Sequence, residues 1–136
     1  MAANIKEVVR RFNIEVIQKG NESEFWSLMA QDFVNHAAPQ GAPNGPESMW
    51  NSFQNTLRPA LSNIIVTIHD QIAEGDKVTT RKTISGVHTG TLFDVPATGR
   101  DVAISVIDIV RVEDGRYAEH WGLNTLAVVR AALSAA

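Results

Sequence analysis

The sequence contains no cysteine. Disulfides, thiolate nucleophiles and cysteine-based metal sites are excluded at once. It has no run of basic residues, and its formal net charge is -3, so nothing supplies the counterion release that drives binding to a phosphate backbone. No nucleic-acid partner is expected. No apolar run approaches the roughly 20 residues of a membrane-spanning helix, so no membrane partner is expected either. The first residues, MAANIKEVVRRFNIEV, lack the uninterrupted apolar segment of a signal peptide, and the expected location is the cytoplasm. Glycine-rich phosphate loops, nucleophile elbows and histidine or carboxylate sets at metal-ligand spacing are also missing. The expectation is a protein without metal or organic cofactor.

What is present is an ordinary globular balance. The chain has 136 residues, 44% hydrophobic and 20% charged, which suits one domain over residues 1–136 with one core. Ile5, Val8, Val9, Phe12 and Val16 recur at helical spacing, and Gly20 suits a left-handed helix end. Asn21 caps a second short helix with Phe25, Trp26, Leu28 and Met29 on its apolar side. Asp32 to His36 reads as a short strand, followed by a loop marked by Pro39, Gly41, Pro43 and Gly45. Pro46 opens a third helix with Met49, Trp50, Phe53 and Leu57 on one side, and Pro59 stops it.

From Asn63 the period changes to two. Long strands follow on either side of Gly75-Asp76, and a loop runs from Thr89 to Gly99. The last pair, DVAISVIDIVRVEDGRYAEHWGLN, folds about Asp114-Gly115, a dipeptide suited to a tight type I′ hairpin turn. A regular ladder from that turn sets Tyr117 opposite Val112, Glu119 opposite Val110 and Trp121 opposite Asp108. His120 then falls on one face, with Asp108 and Trp121 on the other. Asn124 or Thr125 caps a final helix carrying Leu126, Val129 and Leu133. Helices segregated from strands indicate an α+β fold in which a bent antiparallel sheet holds helices on its concave face. Helices too few to fill the hollow would leave a pocket.

The segments Phe33-Val34-Asn35-His36, Gly45-Pro46-Glu47, Glu74-Gly75-Asp76-Lys77-Val78, His88-Thr89-Gly90, Pro96-Ala97-Thr98-Gly99-Arg100, Ile107-Asp108-Ile109, and Glu113-Asp114-Gly115-Arg116 with Glu119-His120-Trp121 occur in this order along nearly the whole chain. Together they resemble the SnoaL-like polyketide cyclases and ester cyclases of the NTF2-like superfamily. The resemblance implies a cone-shaped α+β barrel with a deep apolar pocket, often a homodimer packed through the sheet. It also implies intramolecular aldol chemistry without a cofactor. The cyclases' acid/base carboxylate is often an aspartate directly after the His-Trp pair, and that position is Gly122 here.

His120 is the first candidate for acid/base work, because an ordinary imidazole titrates near neutral pH. The competing role is a hydrogen-bonded core imidazole. Asp108, a carboxylate inside an apolar strand, is either a proton-transfer base or a structural acceptor for a Trp or backbone N–H. His36 is placed at the pocket rim to bind a ligand carbonyl or to tie down the loop. Asn35 is either an enolate donor or a turn residue, and Asn124 a ligand contact or a helix cap. Trp26, Trp50 and Phe53 are candidate aromatic walls or core, and His88 is a candidate mouth residue. Two functions stand side by side: proton-transfer chemistry on a small apolar carbonyl compound, and non-catalytic binding of an apolar metabolite, which Gly122 favours. Dimerisation is expected through a face bearing Val102, Ile104, Val106, Val110, Tyr117 and Trp121.

Overall fold

In this computed structural model, residues 4–135 are described. Helix α1 (Ile5–Arg11) runs directly into a wider π-helical segment (Phe12–Gln18). Gly20 ends it in the left-handed region at φ 72°. Helix α2 (Glu22–Ser27) starts at Asn21, whose side-chain oxygen accepts the Glu24 backbone N–H at 3.3 Å. Strand β1 (Met29–Asn35) follows. Helix α3 (Pro46–Asn51) then widens into a second π-helical segment (Ser52–Leu57) and ends in a short turn, α4 (Arg58–Ala60). Four long strands complete the sheet: β2 (Leu61–Glu74), β3 (Lys77–His88), β4 (Asp101–Glu113) and β5 (Arg116–Asn124). Helix α5 (Leu126–Ser134) closes the described chain.

The five strands lie in the order β1-β5-β4-β3-β2. The sheet is curved but unclosed, so the expected barrel has two free edges, β1 and β2. It is also mixed: β1 pairs with β5 in parallel, and the other pairs are antiparallel. α1 and its continuation cross β2, β3 and β4. Phe12 sits at the centre of the layer between them. Its ring stacks on Tyr117 at 4.3 Å and meets Phe25 and Phe53 at 5.9 Å each. Trp50 is buried and packs against Phe25 at 5.2 Å. These rings pack into the hollow expected between helices and sheet.

The hairpin turn forms as expected, with Asp114 and Gly115 at φ 52° and 74°. The regular register does not. Tyr117 pairs with Val112, but the next pair is Glu119 with Arg111, and a bulge at Ala118 absorbs the extra residue. From there His120 lies opposite Val110, Trp121 opposite Ile109 and Gly122 opposite Asp108. The bulge turns every following side chain to the other face. Its physical cause lies in Glu119. The regular register would drive that carboxylate into the core beside Val110. The bulge instead sends it outward to Arg111, which donates to it at 2.6 Å, while Tyr117 and Ala118 both stay buried. His120 and Asp108, expected on opposite faces, therefore share the inner one.

The same register corrects the face expected to dimerise. Val102, Ile104, Val110 and Tyr117 are core residues beneath the helices, and Val106 packs against that core. The apolar residues left open on the outer face are Ile65, Ile72, Ile107, Ile109 and Leu123, beside half-buried Trp121. No helix among the described residues is long and apolar enough to cross a membrane.

Candidate active site

Three neighbouring strands and the π-helical segment after α1 bring four polar side chains together beneath the sheet. Strand alternation puts Val78, Thr80, Lys82 and Ile84 of β3 inward, and Lys82 is as buried as its apolar neighbours. Asp108 is inward on β4 and His120 on β5. Asn13, fully buried, comes from the π-helical segment. Its amide donates to the Val9 carbonyl at 2.8 Å, so its oxygen faces the sheet and accepts Lys82 Nζ at 2.5 Å. Lys82 Nζ also donates to Asp108 Oδ2 at 3.2 Å. The second carboxylate oxygen, Oδ1, is buried and has no partner among the described residues.

His120 joins this cluster from the other side. Asn35, at the end of β1, accepts the Ala37 backbone N–H on its side-chain oxygen at 3.0 Å. An atom that accepts from a backbone N–H is an acceptor for its other neighbour too. His120 Nδ1, 2.8 Å away, therefore carries a hydrogen and donates it to Asn35. His120 Nε2 then faces Asp108 Oδ2 at 3.4 Å. This nitrogen holds the lone pair when the ring is neutral, and it donates to the carboxylate when the ring is protonated. The ring lies across Gly122: a Cβ there would come within 3.1 Å of His120 Cε1 and 3.2 Å of the Asp108 Cβ. The missing side chain thus makes room for the His120–Asp108 contact. Gly122→Ala is expected to push the imidazole off the carboxylate by a few tenths of an ångström, a displacement a crystal structure of the variant would show.

Opposing forces act on Asp108. Burial is the largest and pushes its carboxyl up. The Lys82 charge and the hydrogen bond and charge of His120 together outweigh it, holding the carboxyl below the usual carboxylate range. Tyr117, stacked under Phe12, is driven well above the usual phenol value, first by burial and then by the charge of Asp108. The site therefore holds a carboxylate and a neutral phenol at neutral pH.

The other expected site residues lie elsewhere. His36 is on the outer side, stacked on Trp121 at 4.9 Å and donating to Glu119 Oε2 at 2.8 Å. Arg111 and His36 hold Glu119 below the usual glutamate range. Trp50 and Phe53 belong to the core cluster. Trp26 is exposed and lines a separate cleft of about 580 Å³ with Pro43 and Pro46. His88 is fully buried rather than at a mouth; its Nδ1 accepts from the Thr98 hydroxyl at 2.9 Å and the Thr98 N–H at 3.3 Å, pinning the loop above it. Asn124 ends β5 just before Thr125, the N-cap of α5, and its side-chain oxygen accepts the Leu126 N–H at 2.9 Å.

A groove of about 820 Å³ also crosses the outer face of the sheet, with Ile107, Ile109, Trp121 and Leu123 among its walls. Strand alternation points the side chains of Lys82 and Asp108 away from it. Lys82 and Asn13 are the two members of the cluster that the sequence reading missed. Their signals were there: Lys82 is in phase with Val78, Thr80 and Ile84, and Asn13 follows Val9 by four on the apolar stripe.

The sequence matches the family described as SnoaL-like polyketide cyclase over residues 7–133. No curated protein matches it. Among solved structures, the chain is similar to TsrD from Streptomyces laurentii, at 25% identity and a TM-score of 0.84, over 98% of this chain and 97% of that one. It is similar to IdmH, a candidate polyketide cyclase from Streptomyces antibioticus, at 26% identity and a TM-score of 0.83, over 97% of this chain and 99% of that one. In fold alone it is similar to an LEH-like epoxide hydrolase of M. tuberculosis, at 16% identity and a TM-score of 0.71, over 98% of this chain and 91% of that one.

Proposed function

Because the chain belongs to the SnoaL-like polyketide cyclase family and has the NTF2-like fold of its structural relatives, we propose that it performs acid/base chemistry without a cofactor on a small hydrophobic carbonyl compound, by aldol cyclisation or isomerisation. The observation that carries this reading is the fixed tautomer of His120. Asn35 holds the hydrogen on Nδ1, Nε2 faces Asp108 Oδ2 at 3.4 Å, and imidazole and carboxylate act as one acid/base pair, with Asp108 Oδ1 left without a partner among the described residues. A proton leaves the carbon beside the substrate carbonyl for the His120–Asp108 pair, and its bonding electrons move to the carbonyl oxygen as an enolate. In a cyclisation the enolate carbon then attacks a second carbonyl, whose oxygen takes the proton back from the pair. In an isomerisation the proton returns to a different carbon. Asp108 is the direct cross-strand partner of Gly122, so a carboxylate is kept at this spot although the position after His-Trp has none.

The test is hydrogen exchange at the substrate. Polycyclic keto esters and simpler apolar ketones, incubated with the protein in D₂O, are expected to incorporate deuterium beside the carbonyl, at a rate that saturates with substrate. Gly122, standing where the cyclases often have an aspartate, favours a second reading, an apolar-metabolite binding protein. Saturable binding across the panel with no deuterium incorporation would decide for it.

The outer groove is proposed as a homodimer contact, since Ile107, Ile109 and Leu123 form an apolar patch of a kind seldom left in water. Sedimentation at micromolar concentration is expected to give a dimer. The double variant Ile107→Lys/Leu123→Lys is expected to give a monomer with an unchanged circular dichroism spectrum. A monomeric parent protein rules the contact out.

A further inference from the structure

We propose that Lys82, seated by Asn13, is a positioning residue of this site: its ammonium holds the Asp108 carboxylate in the orientation and charge state in which that carboxylate serves His120. The proposal rests on the acid/base reading above for its effect on turnover, but its structural part stands apart from it.

Lys82 is an unusual residue to find in a core. Its side chain is 4% exposed, on a strand position otherwise given to apolar residues. Bringing an ammonium out of water costs several kcal/mol, even after the protein relaxes around it. Among the described residues two partners meet it, and each has a directional role. The Asn13 oxygen, at 2.5 Å, comes from the helix side, and Asp108 Oδ2, at 3.2 Å, comes from the neighbouring strand. Asn13 cannot turn its amide end toward the ammonium, because that end is committed to the Val9 carbonyl. Lys82 is thus aimed from behind, and Asp108 is aimed by Lys82.

The consequence for Asp108 is chemical. One oxygen, Oδ2, is shared between Lys82 and His120. The groups around the carboxylate are Lys82 and Thr80 on β3, His120 and Tyr117 on β5, and Asn13 above. Tyr117 stays neutral, and Thr80 and Asn13 carry no charge. Among these groups Lys82 is therefore the fixed positive charge opposing burial, since His120 is charged only while it holds the proton. Without Lys82, burial is opposed by His120 alone, and the Asp108 carboxyl moves up toward its protonated form. A protonated Asp108 can no longer accept the hydrogen of a His120 imidazolium as a carboxylate does.

The experiment follows the Asp108 side-chain carboxyl carbon by ¹³C NMR across pH in the ligand-free protein, for the parent chain and for Lys82→Met, Lys82→Arg and Asn13→Ala. In Lys82→Met the titration of Asp108 is expected to move up by about 1–3 pH units, the range a close opposite charge commands. Lys82→Arg, which keeps the charge, is expected to reverse most of that movement. Asn13→Ala leaves the ammonium in place but unaimed, and is expected to shift Asp108 in the same direction by less. In the exchange assay it should lower kcat roughly tenfold with KM unchanged, the mark of an interaction used only in the transition state. An Asp108 titration in Lys82→Met that matches the parent overturns the proposal. If Lys82→Met does not fold, an Asn13→Ala protein with parental titration and parental kcat overturns it equally. A parent protein that never exchanges substrate hydrogen removes the acid/base reading, while the carboxyl titrations still decide the role of Lys82.

Discussion

Replacing Asp108 by asparagine is expected to cost the fold about 3–5 kcal/mol, the usual penalty for removing one partner of a buried ion pair. Shape is nearly kept, so packing does not explain the loss. The cost comes from Lys82, left as an uncompensated charge with Asn13 as its remaining partner in the described structure. The paired replacement Lys82→Met/Asp108→Leu is expected to recover most of that stability, because apolar residues of similar volume often match or exceed a buried pair. Urea unfolding midpoints of the three proteins check both statements. Equal midpoints for Asp108→Asn and the parent would mean that the pair adds nothing to folding. The acid limb gives a second readout. Burial pushes the Asp108 carboxyl up, but Lys82 and His120 together hold it below its unfolded value. Its contribution to stability is then fully present above the ordinary carboxylate range, and is lost as pH falls through the lower folded value. Asp108→Asn removes that part of the acid dependence.

His120→Gln is expected to lower the substrate-exchange rate by about 10²–10⁴-fold, the span general acid/base groups contribute. The unfolding midpoint should move little by comparison, since the ring is partly exposed and no charge is stranded by its loss. Glutamine can still donate to Asn35, yet it cannot take a proton at neutral pH. A rate and pH profile matching the parent would remove His120 from the chemistry and leave Asn35–His120 as a tie between β1 and β5.

Much of the fold was legible in the sequence, and the reasons are local. The left-handed turn at Gly20, the cap at Asn21, Pro46 at a helix start and Asp114-Gly115 at a hairpin each carry their own signal in one or two residues. The site was legible by residue type and not by arrangement. His120, Asp108 and Asn35 were singled out, but their meeting depends on the bulge at Ala118 and on parallel pairing between β1 and β5, neither of which has a marker in its own segment. The cause of the bulge is the fate of Glu119, which is settled by Arg111 and His36, one on the next strand and the other far along the chain. His36 drew attention because histidines often act in catalysis; its actual neighbours are a carboxylate and an indole on the outer face. Asn13 and Lys82 were in phase with core positions, and reading them required weighing polar residues inside apolar periods as closely as apolar ones.

The parallel seam between β1 and β5 also sets an order of events in the life of the chain. Asn35 and His120 are 85 residues apart. At about 5–20 residues per second of synthesis, Asn35 waits roughly 4–17 s for its partner to be made. Throughout that interval the edge of β1 has no strand to pair with, while the three antiparallel neighbours can zip from local turns as they emerge. The imidazole arrives on the same strand that closes this seam. The Asn35–His120 bond that fixes the tautomer therefore forms only when this seam closes.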